Sequence, residues 1–77
     1  MSVDEKVMAE RAKRFIKAEL KRADVTYGAL ADRLKQMGLE ESEASVANKL
    51  SRGTFPATFF VAVMKAIGRE QVNLADV

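Results

Sequence analysis

The sequence contains no cysteine and no histidine, so two common ways of stabilising a small domain are excluded. Disulfides need cysteine, and structural zinc sites are built from cysteine thiolates and histidine imidazoles. A chain of 77 residues buries only about 60–65% of the surface that its unfolded form exposes, so its core is thin. Regular helix packing, or association with a second subunit, is what remains to stabilise it.

The same absences argue against an enzyme. No histidine is present to activate Ser42, Ser45 or Ser51 as a nucleophile. There is also no glycine-rich phosphate loop, and no second carboxylate is placed to work with Glu19. We therefore expect no catalytic residue, no bound metal, no cofactor and no small-molecule substrate.

Long apolar runs are missing as well. No stretch approaches the roughly 20 apolar residues that a membrane-spanning helix needs. Residues 1–15 carry charges throughout, which is unlike a secretory signal peptide. These features predict a cytoplasmic protein without a membrane partner.

What is present is a globular composition, with 48% hydrophobic and 31% charged residues. The net charge of +2 permits a nucleic-acid partner without requiring one. Apolar residues recur at helical spacing, and one proline and four glycines separate the runs. The pattern predicts an all-α fold: one compact domain, residues 1–77, of four or five helices. The predicted helices span residues 4–23, 27–37, 43–52 and 56–67, with a possible short turn at 73–77.

Capping residues support these bounds. Thr26 and Ser42 are placed to cap the second and third helices, and Gly53 follows the third. Each of the first three predicted helices has one apolar side, expected to face the core: Met8, Ala12, Phe15, Ile16, Leu20 and Ala23; Leu30, Ala31, Leu34 and Met37; Val46, Ala47 and Leu50. Glu19 interrupts the first of these stripes, and because an unpaired buried charge is costly we expect it to pair with Arg33.

Two segments together resemble a known family. The sequence LADRL at residues 30–34 is similar to the first helix of λ-repressor-like helix-turn-helix domains, and VANKLSRG at residues 46–53 is similar to their recognition helix. The resemblance covers roughly residues 12–77 and extends to a group of small uncharacterised bacterial proteins. It implies a DNA-binding domain that reads double-stranded DNA with its third helix. The chain departs from the family between Lys35 and Glu41, where the connection is longer and acidic.

The polar side of the third helix fits that role, since asparagine can pair with adenine, and arginine or lysine with guanine, in the major groove. Candidate base contacts are Ala44, Ser45, Asn48, Lys49 and Arg52. Candidate phosphate contacts flank this helix and are Thr26, Tyr27, Gly28, Ser42 and Thr54. The carboxylates of Glu40, Glu41 and Glu43 would repel phosphate.

The fourth helix is apolar on nearly every side. Its residues are expected in the core first, but a thin domain leaves part of such a helix exposed. We expect a homodimer contact formed by part of a set comprising Phe60, Val61, Met64, Leu74 and Val77. Three alternatives remain open: a protein-interaction module that uses this helix, a third helix whose polar side is only solvated, and, less favoured, RNA binding.

Overall fold

The computed structural model describes residues 4–77 as four α-helices followed by a short 3-10 helix. The helices are α1 (Glu5–Ala23), α2 (Tyr27–Gln36), α3 (Glu43–Arg52) and α4 (Ala57–Ala66), and the 3-10 helix is Leu74–Asp76. The described residues contain no strand, so the predicted all-α class is confirmed. Within the same range, no helix has both the length and the apolar character needed to cross a membrane.

Local hydrogen bonds fix where α2 and α3 begin. The Thr26 hydroxyl accepts a bond from the Ala29 N–H at 3.1 Å, as predicted. Ser42 and Ser45 form a reciprocal capping box, in which each backbone N–H donates to the other's hydroxyl oxygen, at 2.8 and 3.0 Å. These caps fix the first residue of each helix, and the buried Val46 and Leu50 determine which side of α3 faces the core.

The core is built from one side of each helix. α3 packs against α1 and α2, and α4 packs against α2. The largest fully buried side chains are Ile16, Leu30, Leu34, Val46, Leu50, Phe59 and Val63. The prediction was wrong at Met8, Ala23 and Met37, which are exposed. The buried positions of α1 begin only at Phe15 and end at Leu20, and Met37 caps α2, so these three residues lie beyond the packed lengths of their helices.

The C-terminal end of α3 lies directly against α1. Gly53 ends α3 with φ of 73°, in the left-handed region that favours glycine. A Cβ added at this position would collide with the backbone carbonyl of Ala9. The Lys13 ammonium also donates to the Ser51 carbonyl oxygen at 3.3 Å. These contacts fix the end of α3 relative to α1.

Glu19 is buried, with 5% of its surface exposed, but its partners are not the one predicted. Arg69 Nη1 donates to Glu19 Oε2 at 2.6 Å, and Arg22 Nη1 donates to Glu19 Oε1 at 3.1 Å. Arg33 donates instead to the Ala66 carbonyl oxygen at 3.0 Å. The predicted Arg33 pair is wrong because the segment after α4 returns to α1 and brings Arg69 to the carboxylate.

Candidate nucleic-acid interface

The outer side of α3 is an exposed polar stripe. Val46 and Leu50 attach the helix to the core, and Ala44, Asn48 and Arg52 are exposed. The three exposed residues are spaced by four and therefore follow one line along the helix. Neither Asn48 nor Arg52 has a hydrogen-bond or ion-pair partner among residues 4–77. We call Ala44, Asn48 and Arg52 the outer stripe.

A shallow depression on this side of the molecule brings the predicted base contacts together. Its lining consists of Ser42, Ala44, Ser45, Asn48, Lys49 and Arg52. All five predicted base contacts therefore share one surface. They differ in solvent exposure, because Ser45 and Lys49 are only partly exposed whereas the other three are exposed.

Ser45 and Lys49 are held by Glu41, which precedes α3. The Ser45 hydroxyl donates to Glu41 Oε1 at 2.7 Å, and the Lys49 ammonium forms an ion pair with Glu41 Oε2. Lys49 Nζ also lies 4.9 Å from the centroid of the Phe59 ring, a cation–π contact. Two of the five predicted base contacts are thus already bonded within the protein.

Glu41 is the functional-site residue that sequence reasoning missed, since it was assigned only a repulsive role. Only 7% of the surface of Glu41 is exposed. The available signal was the spacing of Glu41, Ser45 and Lys49, which recur every four residues as an acid, a hydroxyl and a base. Because Glu41 lies outside the predicted helix, that spacing was not read as a contact.

The Glu41 carboxyl remains ionised at neutral pH. Burial raises its pKa, but the hydrogen bonds from Lys49 and Ser45 and the positive charge of Lys49 outweigh burial, so the pKa lies below the ordinary value of 4.5. The negative charge of Glu41 therefore offsets the positive charge of Lys49. Arg52 is left as the unpaired cation of α3 within the described residues.

Two of the predicted phosphate contacts, Ser42 and Thr54, lie at the two ends of α3. Ser42 caps its beginning, and Thr54 follows Gly53 at its end, with both side chains exposed. Thr26 and Ser42 use their oxygens as helix caps, which leaves each hydroxyl hydrogen able to donate to an anion. Hydroxyl donors are therefore present at both ends of α3, at Ser42 and Thr54.

The beginning of α2 is less open to an anion. Tyr27 and Gly28 are half-buried. A Cβ added to Gly28 would lie 3.3 Å from Glu43 Oε1, so this carboxylate already lies against the first turn of α2. Helix N-termini favour negative charge, and here Glu43 supplies one.

The predicted dimer residues divide between core and surface. Met64 is 4% exposed and belongs to the core, so it has almost no surface left for a dimer contact, and the dimer itself stays a prediction. α4 is apolar on nearly every side, and its sequence could not show which side is buried. Phe60 and Val77 are half-buried, whereas Val61 is exposed and Leu74 is 81% exposed.

Comparison with known proteins gives one match. A family model matches residues 8–72, a range that includes most of α1 and all of α2, α3 and α4. Its description is a domain of unknown function, DUF6471. No curated protein and no solved structure matches the chain.

Proposed function

The chain belongs to the DUF6471 family, and we propose that it binds double-stranded DNA in a sequence-specific manner through α3. The observation that carries this proposal is the outer stripe, where Asn48 and Arg52 are exposed and have no partner among residues 4–77. An α-helix fits the major groove, where asparagine can pair with adenine and arginine with guanine. In this proposal, Asn48 and Arg52 contact bases, and Ala44 contacts a thymine methyl group.

The rigid attachment of α3 supports the proposal. A helix that distinguishes base pairs has to be held in one orientation, because its side chains must meet base edges at hydrogen-bond distance. α3 is fixed at its start by the Ser42–Ser45 capping box and at its end by the close approach of Gly53 to Ala9. With α2 packed beside it, α3 takes the part of the recognition helix in a λ-repressor-like domain, and the chain acts as a small transcriptional regulator.

The surroundings of α3 provide for contact with the DNA backbone. Phosphate oxygens accept hydrogen bonds from hydroxyl groups as well as from cations. The hydroxyls of Ser42 and Thr54 lie at opposite ends of α3, and Thr26 caps the neighbouring helix. These groups orient the domain on the duplex, while the outer stripe reads the sequence.

We also propose a homodimer, since two copies would read two half-sites about one helical turn apart. It is supported by the exposed apolar residues Val61 and Leu74, with Phe60 and Val77 partly exposed. Sedimentation at high protein concentration tests this, and a monomer there contradicts it. The alternative of an interaction module is less supported, because α4 buries Phe59, Ala62, Val63 and Met64 in its own domain.

The test of DNA binding is selection from a random duplex library, followed by affinity measurements over a range of salt concentrations. Binding should weaken as salt rises, with a log–log slope of about −0.9 for each phosphate contacted. Asn48→Ala should cost about 1–3 kcal/mol of discrimination at one adenine position of the selected sequence.

The matched control is Gln71→Ala, an exposed amide on the segment after α4. It removes the same kind of group away from α3 and should leave sequence preference unchanged. No enrichment from the library, or the same discrimination for Asn48→Ala and Gln71→Ala, would contradict the proposal.

A further inference from the structure

Glu41 lies in the connection between α2 and α3, and among the described residues its side chain forms its hydrogen bonds and its ion pair with α3. The connection runs from the end of α2 at Gln36 to the capping residue Ser42. Glu41 is buried there and is bonded to Ser45 and Lys49. The longer connection thus delivers one carboxylate to the surface that we propose meets DNA.

The ion pair changes what Lys49 can do. Lysine is a flexible point charge that can reach phosphates at many positions, so a free lysine beside a DNA surface strengthens binding to every sequence. Here the Lys49 ammonium is held between the Glu41 carboxylate and the Phe59 ring, and only 25% of its side chain is exposed. Its positive charge is therefore already offset by the Glu41 carboxylate, although Lys49 lies on the same surface as the outer stripe.

Asn48 and Arg52 show the opposite arrangement. They are the exposed polar groups of the outer stripe, and neither has a partner within residues 4–77. Base contacts confer sequence specificity, whereas phosphate contacts add affinity for all sequences alike. A carboxylate that removes one mobile cation and leaves the base-reading groups free therefore favours specific over non-specific binding.

We propose that Glu41 is a specificity-determining positioning residue, which withholds Lys49 from the DNA backbone and fixes the Ser45 hydroxyl beside the outer stripe. This inference rests on the proposed DNA binding. It adds that the acidic connection lowers affinity for random DNA and so raises the ratio of specific to non-specific affinity.

The test compares Glu41→Gln with Glu40→Gln. Glutamine keeps the shape of Glu41 and its hydrogen-bonding oxygen but removes the charge that holds Lys49. Glu40 is the adjacent acid, is exposed, and has no ion pair among residues 4–77, so its replacement controls for the change in net charge. The probes are a random-sequence duplex and the duplex selected by the wild type, each titrated from low to high KCl.

With Lys49 released, the salt slope on the random duplex should be steeper by about 0.9 for Glu41→Gln than for Glu40→Gln. Over a tenfold change in salt concentration, that difference corresponds to about an eightfold larger change in affinity. The ratio of affinities for selected and random duplex should fall in Glu41→Gln and stay close to the wild-type ratio in Glu40→Gln. If Glu41 had a purely structural role, Glu41→Gln would weaken binding to both duplexes without making the salt slope steeper.

Lys49→Gln shows whether the steeper salt slope of Glu41→Gln comes from the released Lys49. In the Lys49→Gln background, Glu41→Gln should no longer steepen the slope beyond the effect of Glu40→Gln. A steeper slope that persists without Lys49 would overturn the inference.

A second comparison does not depend on the folding of Glu41→Gln. On the random duplex, where the specific base contacts do not form, the unpaired Arg52 can reach a phosphate and the paired Lys49 cannot. Arg52→Gln should therefore flatten the wild-type salt slope on that duplex, and Lys49→Gln should leave it nearly unchanged. Equal flattening by both substitutions would overturn the inference while DNA binding stands. Failure of the wild type to bind any duplex would overturn the proposed function and this inference with it.

Discussion

The chain buries two glutamates, and they hold together different parts of the molecule. Glu19 on α1 binds two arginines, Arg22 and Arg69, and so connects the segment after α4 to α1. Glu41 binds Lys49 and Ser45, and so connects the segment before α3 to α3. Both satisfy the requirement that a buried carboxylate be paired, but only Glu41 lies beside the outer stripe.

The difference between the two sites lies in the cations they hold. Arg22 lies in the last turn of α1 and Arg69 in the segment after α4, and Arg22 remains mostly exposed although it is bonded to Glu19. Lys49 is enclosed between Glu41 and Phe59 on the helix that we propose reads DNA. The same type of buried carboxylate therefore stabilises the fold at one site and controls a cation of the proposed interface at the other.

The largest effect expected from this comparison concerns stability at Glu19. Glu19→Ala removes two charge-assisted hydrogen bonds, and since both arginines can then be solvated, we expect a loss of about 2 kcal/mol in the free energy of unfolding. Urea denaturation followed by far-ultraviolet circular dichroism measures it. The folded variant should keep the wild-type salt slope on DNA.

Glu10→Ala is the control for Glu19, since Glu10 lies on the same helix with half of its side chain exposed and pairs with a single cation, Lys13. Exposed ion pairs contribute little, so this variant should unfold close to the wild-type urea concentration. Equal destabilisation by the two substitutions, or a changed salt slope in Glu19→Ala, would remove the distinction between the two buried glutamates.

A smaller effect is expected at Glu43, an acid of the interface that has no ion pair within residues 4–77. Its carboxylate lies against Gly28 at the first turn of α2, where a phosphate would otherwise meet the helix N-terminus. Glu43→Gln should raise affinity for a random duplex about threefold, in line with the energy of one charge at a helix end. Titration beside Glu40→Gln separates this local effect from that of net charge, and equal affinities for the two variants would contradict it.

The smallest effect is a dependence on pH. Because the folded-state pKa of Glu41 is lowered, the stability that its ion pair contributes is present above the ordinary glutamate pKa of 4.5 and is lost as the pH falls through the lower folded-state value. The stability difference between wild type and Glu41→Gln should therefore shrink as the pH is lowered below 4.5. Urea midpoints at successive pH values measure it. A difference that stays constant with pH would show that Glu41 contributes through shape alone.

The sequence predicted the parts of the fold that depend on neighbouring residues. The helix bounds agree to within one residue at each end, because caps such as Thr26 and Ser42 act on backbone groups only a few positions away. The side of α3 that faces solvent followed from the same local pattern, and Asn48 and Arg52 are exposed as predicted.

Features that depend on tertiary packing could not be predicted in this way. The partner of Glu19 is Arg69, which the path of the chain after α4 brings back to α1. The sequence could not place Met64 on the buried side of α4, because apolar residues occupy nearly every side of that helix. The contacts of Glu41 depend on the path of the connection between α2 and α3, which no periodic pattern of residues specifies. The sequence therefore predicted only the repulsion of phosphate by its charge, and not its bonds to Ser45 and Lys49.

The contact between Gly53 and the Ala9 backbone has a consequence for engineering the domain. Backbone atoms cannot rearrange as the end of a long side chain can, so the junction tolerates no larger residue and holds α3 at a fixed tilt. Ala44, Asn48 and Arg52 are exposed and do not belong to the core. Other side chains can therefore be substituted at these three positions without changing how α3 packs against α1 and the core.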